Sequence, residues 1–73
     1  MNVYGVEIRE DVIDHCLSGM NKDGFLYRQL SGAIAAHTGA PREVASRAAD
    51  RALQKLRKSG AIYFNGRVWV VLR

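Results

Sequence analysis

Cysteine occurs once in these 73 residues, at Cys16, and histidine only twice, at His15 and His37. One thiol excludes an intrachain disulfide. A closed four-ligand zinc site would have to recruit carboxylates at unhelpful spacings, so neither a metal nor a cofactor is expected. Cys16 reads instead as a small apolar residue on an inward helix face. Proline also occurs once, at Pro41, and there is no low-complexity run; with 48% hydrophobic residues the composition is that of a folded globule rather than a disordered tail. No apolar run approaches the roughly 20 residues of a membrane span, and the chain does not open with a basic segment followed by an apolar one. The expectation is a cytoplasmic protein with no membrane partner. No glycine-rich phosphate loop follows a strand and no nucleophile stands beside a recognisable base, so an enzyme is not expected.

Acidic side chains are scarce beyond residue 20. Residues 1 to 20 carry four acidic groups and one basic group, a net of −3, whereas residues 21 to 73 carry three acidic and ten basic groups, a net of +7, giving the overall +4. Such a chain can turn a positive surface toward a polyanion while its acidic end faces away or meets a partner; a solvated surface is the alternative. A chain this short buries only roughly 60% of the surface it exposes when unfolded, so dimerisation would add useful burial.

The periodicity predicts one domain, 1–73, with three helices. Ile8, Val12, Ile13, Cys16, Leu17 and Met20 recur at helical spacing, and this first helix should end near Gly19 in a left-handed cap. Asn21-Lys22-Asp23-Gly24 supplies a turn, and Phe25-Leu26 one or two rungs of a sheet. A second helix runs from about Tyr27 to His37, with Leu30, Ala33, Ile34 and His37 on one face. Its alanines permit the close approach of another helix. Gly39 breaks it, and Pro41 suits the first turn of a third helix ending at Ser59, where Glu43 answers the positive end of the helix dipole. In that helix Val44, Ala45, Ala48, Ala49, Ala52, Leu53 and Leu56 form an apolar stripe opposite Glu43, Ser46, Arg47, Asp50, Arg51, Gln54, Arg57 and Lys58. Lys55, Arg57 and Lys58 fall where the dipole favours positive charge, without any ligand.

Beyond Gly60, Ala61-Ile62-Tyr63-Phe64 and Arg67 to Leu72 flank Asn65-Gly66, the strongest short-range hairpin signal. A two-residue turn at Asn65-Gly66 pairs Phe64 with Arg67, Tyr63 with Val68, Ile62 with Trp69 and Ala61 with Val70. Both faces are then largely apolar, unlike an ordinary hairpin with one face in solvent. The outer face, with Tyr63, Val68, Val70 and Leu72, calls for a cover: either Val3-Tyr4-Gly5-Val6 added as a strand or arm, or a second subunit.

Helix, short strand, helix, tight turn, helix and hairpin, in that order from about Ile8 to Leu72, resemble the winged helix-turn-helix DNA-binding domains. Ser31 to Asp50 (SGAIAAHTGAPREVASRAAD) is similar to their helix-turn-helix core, with Ala35 at the helix crossing, Gly39 in the turn, and Ala40, Ala45 and Ala48 at apolar positions. The resemblance implies an α+β, mostly helical fold and a small prokaryotic or phage-type regulator or architectural factor, binding double-stranded DNA as a dimer. Its third helix would enter the major groove with Arg42, Glu43, Ser46, Arg47, Asp50 and Arg51, while Arg28, Asn65 and Arg67 touch backbone. Arg47 can read guanine and Glu43 cytosine, or the two can form an ordinary i,i+4 helix pair. Arg28 and Arg67 have the alternative of being solvated, and Trp69 and Tyr63 of packing rather than stacking on bases. His37 packs at its helix end or meets a phosphate. Glu43 and Asp50 oppose phosphate, and a two-residue wing is too short to reach deep into a minor groove. The competing function is a protein-protein interaction module on the same scaffold, using the acidic first helix and the outer face of the hairpin.

Overall fold

Small and branched apolar residues return every third or fourth position from Val44 to Leu53, and the core of the molecule forms on that stripe. In the computed structural model, which describes residues 1–72, the chain runs β1 (Asn2–Val3), β2 (Val6–Glu7), α1 (Glu10–Ser18), α2 (Tyr27–Thr38), α3 (Arg42–Ser59), β3 (Ile62–Phe64) and β4 (Trp69–Val71). Arg73, the last residue of the expected domain, lies outside the described residues. The class is α+β and mostly helical, as the patterning predicts, with two small antiparallel strand pairs. No helix among the described residues is long and apolar enough to cross a membrane.

Val44, Ala45, Ala48, Ala49, Ala52 and Leu53 of α3 are all buried, against Leu30 and Ile34 of α2 and Ile13, Cys16 and Leu17 of α1. Alanine at four of the six α3 positions lets the α2 backbone come close, and the larger side chains of α1 and α2 fill the layer that remains. His37, expected on the apolar face of α2, is exposed. Gly39 closes α2 at φ +71, a left-handed value that glycine adopts without a Cβ penalty, and its N–H reaches the Ala35 carbonyl at 2.9 Å. Pro41 sits one position earlier than expected, as the N-cap of α3, with its carbonyl accepting from Ala45 N–H at 3.0 Å.

Three expectations are corrected. Gly19 does follow α1, but at φ −87, so that helix ends in a tight right-handed turn rather than a left-handed cap. Residues 2–7 do not reach the C-terminal hairpin: they fold on themselves as β1 and β2, turning at Tyr4 and Gly5, and Val3 is buried in the core beside α3. The free amino group of Met1 donates to the Ile8 carbonyl at 2.6 Å, which closes the base of this N-terminal hairpin.

The third correction is the register of the C-terminal hairpin. Ile62 pairs with Val71, Tyr63 with Val70 and Phe64 with Trp69, two residues beyond the expected pairing. Asn65 is not a central turn residue. Its N–H donates to the Val68 carbonyl at 3.1 Å and its Oδ1 accepts from the Arg67 and Val68 amides, both at 2.9 Å, so Gly66 and Arg67 form the tip. Gly66 at φ +99 followed by Arg67 at negative φ is the two-residue pattern with glycine first. Because the slip is even, no side chain changes face. Ile62, Phe64, Trp69 and Val71 still share one side, and the Phe64 and Trp69 rings meet with centroids 5.2 Å apart.

The expected sheet rung between α1 and α2 is Phe25, which exchanges both backbone hydrogen bonds with Trp69, at 2.9 and 2.8 Å. Gly24 before it has φ +129, and a Cβ there would overlap Val68 Cγ2 and stand 3.1 Å from the Trp69 carbonyl oxygen. Val68, assigned to the open outer face, is therefore partly covered by the Asn21–Gly24 turn.

Candidate nucleic-acid interface

The residues of α3 that do not enter the core define the candidate surface. Arg42, Glu43 and Arg47 are exposed, and Ser46 and Asp50 half-buried, along the N-terminal half of the helix. The turn through Gly39 and Ala40 joins that end to α2, and Thr38 Oγ1 donates to the Ile34 carbonyl at 2.7 Å and accepts from Ala40 N–H at 3.2 Å. These five side chains come from three successive turns of one rigid element.

Tyr27 adds a contact that the sequence reading missed. Its hydroxyl donates to the Ser46 carbonyl at 2.6 Å, which fastens the first turn of α2, and with it Arg28 next in the chain, beside the middle of the α3 surface. The only cue in the sequence is an aromatic hydroxyl at the first position of a helix. Gln29 secures the same end by accepting the Leu26 N–H at 2.7 Å. Arg28 itself is exposed.

Charge on this surface is nearly balanced. Arg47 Nη1 lies 3.7 Å from Asp50 Oδ2, so the ion pair that forms is i,i+3, and among the described residues none joins Arg47 to Glu43. With both side chains about half exposed, such a pair contributes at most a few tenths of a kcal/mol. Arg51 is committed elsewhere: its Nη1 donates to the Asn2 carbonyl at 2.8 Å, tying the N-terminal hairpin to α3. Lys55 bonds Glu10 of α1 at 2.6 Å, and that hydrogen bond, with the charge of Lys55, holds the Glu10 carboxyl below the usual carboxylate range. Because that pKa is depressed, the contact is present at neutral pH and lost as pH falls through the lowered value. In Lys55→Met, an NMR titration should show the Glu10 carboxyl returning upward to the ordinary range.

The wing residues stand apart. Asn65 and Arg67 are exposed at the hairpin tip, and among the described residues no hydrogen bond or ion pair joins them to the α3 group. Asn65 Oδ1 is occupied by the turn, which leaves Arg67 as the free cation of the wing among the described residues. Tyr63 and Leu72 on the outer face are 43% and 52% exposed, and Phe64 at the tip is 51% exposed. His15 and His37, distant in sequence, face each other across α1 and α2 with ring centroids 5.0 Å apart. Among the described residues no group of three or more His, Cys, Asp or Glu side chains is placed to hold a metal ion. No family model, no curated protein and no solved structure matches this chain.

Proposed function

We propose that the protein binds double-stranded DNA sequence-specifically, placing the N-terminal half of α3 in the major groove, as a small cytoplasmic transcriptional regulator or architectural factor of the winged helix-turn-helix kind. One observation carries the reading: an 18-residue helix buries its apolar face from Val44 to Leu53 and leaves Arg42, Glu43, Ser46, Arg47 and Asp50 outward on its first three turns, directly after a tight glycine turn. An α-helix of this kind fits the major groove, where arginine pairs with guanine through two parallel hydrogen bonds and carboxylates accept from cytosine. The near-neutral charge of the surface favours base contacts there, with phosphates held at its margins by Arg28 and, from the wing, Arg67. Arg51 supports α3 through Asn2 and leaves its Nη2 and Nε donors for backbone.

Fluorescence anisotropy with labelled duplex across a salt series tests the proposal. If about five phosphates are neutralised per monomer, log K falls against log salt with a slope near −4.5. A slope close to zero, or no binding at low salt, sinks it.

A second reading rests on the hairpin. Its outer face keeps Tyr63 and Leu72 exposed and is not covered by the N-terminus, so it is available to a second subunit or to a partner protein. On this reading mutations in α3 leave function intact and Tyr63→Ser abolishes partner binding.

A further inference from the structure

We infer that His15 and His37 form a two-point chelating site for one borderline divalent transition ion, such as Zn2+ or Ni2+, bridging the C-terminal ends of α1 and α2. The geometry is the first argument. With a metal–nitrogen bond of ~2.1 Å and a ring centre ~1.1 Å behind the nitrogen, two imidazoles on one tetrahedral ion have centres about 5.2 Å apart, and cis ligands of a square-planar or octahedral ion about 4.5 Å. The observed centroid separation, 5.0 Å, lies between these values, and the rings are tilted by 45° rather than stacked. Both side chains are exposed, so the rings are not held by packing and are free to turn toward one ion.

Electrostatics is the second. His15 and His37 each stand in the last turn of their helix, so the negative ends of two helix dipoles converge on the same point and favour a cation. Among the described residues the open groove around them is lined by Cys16, Gly19, Met20, Ala33 and Ala36, none of which is a cation that would repel an ion. Cys16 stays outside the ligand set because its side chain is buried. Two imidazoles and solvent therefore complete the coordination. Neither histidine lies on α3, so the assignment does not rest on the proposed groove contact.

Titration of the untagged chain with ZnCl2 or NiCl2 by calorimetry, and thermal melts with and without the ion, test the assignment. One ion per chain is expected, with the protein staying in its metal-free oligomeric state. The melting temperature should rise by roughly 10–20 °C when the ion is a hundredfold above its Kd. His15→Ala and His37→Ala should each weaken binding at least tenfold and remove most of that rise, because either substitution reduces the chelate to one ligand. Binding that survives both substitutions, no binding at 1 mM ion, or half an ion per chain with a doubling of mass overturns the single-chain chelate.

Discussion

Replacing Gly24 with alanine is expected to lower stability by roughly 2–6 kcal/mol, enough to unfold much of the population of a small chain. Two separate costs add. The backbone at φ +129 lies where L side chains rarely go, which costs about 1–3 kcal/mol. The new methyl would also overlap Val68 Cγ2 and stand 3.0 Å from Val68 Cβ, and a β-branched side chain held in a hairpin has little room to turn aside; overpacking of this kind costs about 1–3 kcal/mol. Small domains of this size sit near the low end of the usual 5–15 kcal/mol. Urea unfolding followed by the fluorescence of Trp69, the single tryptophan and the residue that pairs with Phe25, reads the loss where it originates. Adding Val68→Ala to the Gly24→Ala chain removes Cγ2 and should restore part of the loss, leaving the 3.0 Å approach to Val68 Cβ and the backbone cost in place. A Gly24→Ala chain within about 0.5 kcal/mol of the parent, the usual range for surface substitutions, means that the Asn21–Gly24 turn does not press on the wing.

That contact also shows where reading by sequence runs out. Residues related by helical period were legible: the buried stripe of α3, the closure of α2 at Gly39 and the basic end of α3 all depend on neighbours within four positions. The class of the fold followed from the order of those segments. The faces of the C-terminal hairpin were legible as well, because alternation survives an even slip, but its register was not. A choice between a backbone carbonyl and the Asn65 side chain as acceptor decides that register, and the Asn-Gly pattern is compatible with both.

Long-range placement was not legible at all. Residues 2–7 pair with themselves because Gly5 N–H donates to Asn2 Oδ1 and the Met1 amino group donates to the Ile8 carbonyl, while Arg51, 49 positions away from Asn2, holds the result against α3. The same holds for Tyr27 with Ser46 and for His15 with His37. In the candidate interface this matters for Arg51, which resembles Arg42 and Arg47 in sequence yet supports the fold. Arg42 and Arg47, the other two arginines in the N-terminal half of α3, have no such tertiary bond among the described residues.

The double substitution Arg42→Ala, Arg47→Ala is therefore the cleanest test of the proposed groove contact, and it should weaken DNA binding on the order of a hundredfold or more, since each bidentate contact to guanine is worth about 1–3 kcal/mol. Both side chains are exposed and alanine is the best helix former, so the fold should change by less than about 0.5 kcal/mol. Including Arg51 would confuse the result, because losing its bond to the Asn2 carbonyl also loosens the N-terminal hairpin. The salt series separates two ways of losing affinity. If the arginines read bases, preference for the specific site over random duplex collapses while the salt slope holds; if they hold phosphates, both duplexes weaken alike and the slope shrinks by about 0.9 per arginine. Asp50→Asn adds a test of opposite sign. It removes a carboxylate that repels phosphate and releases Arg47 from its 3.7 Å pair, so binding to random duplex should strengthen severalfold. Specific binding should strengthen with it unless Asp50 accepts from a cytosine, in which case the specific site alone loses affinity. If affinity stays the same in the arginine double variant, the groove-facing role of α3 is wrong, and the exposed outer face of the hairpin becomes the surface that carries function.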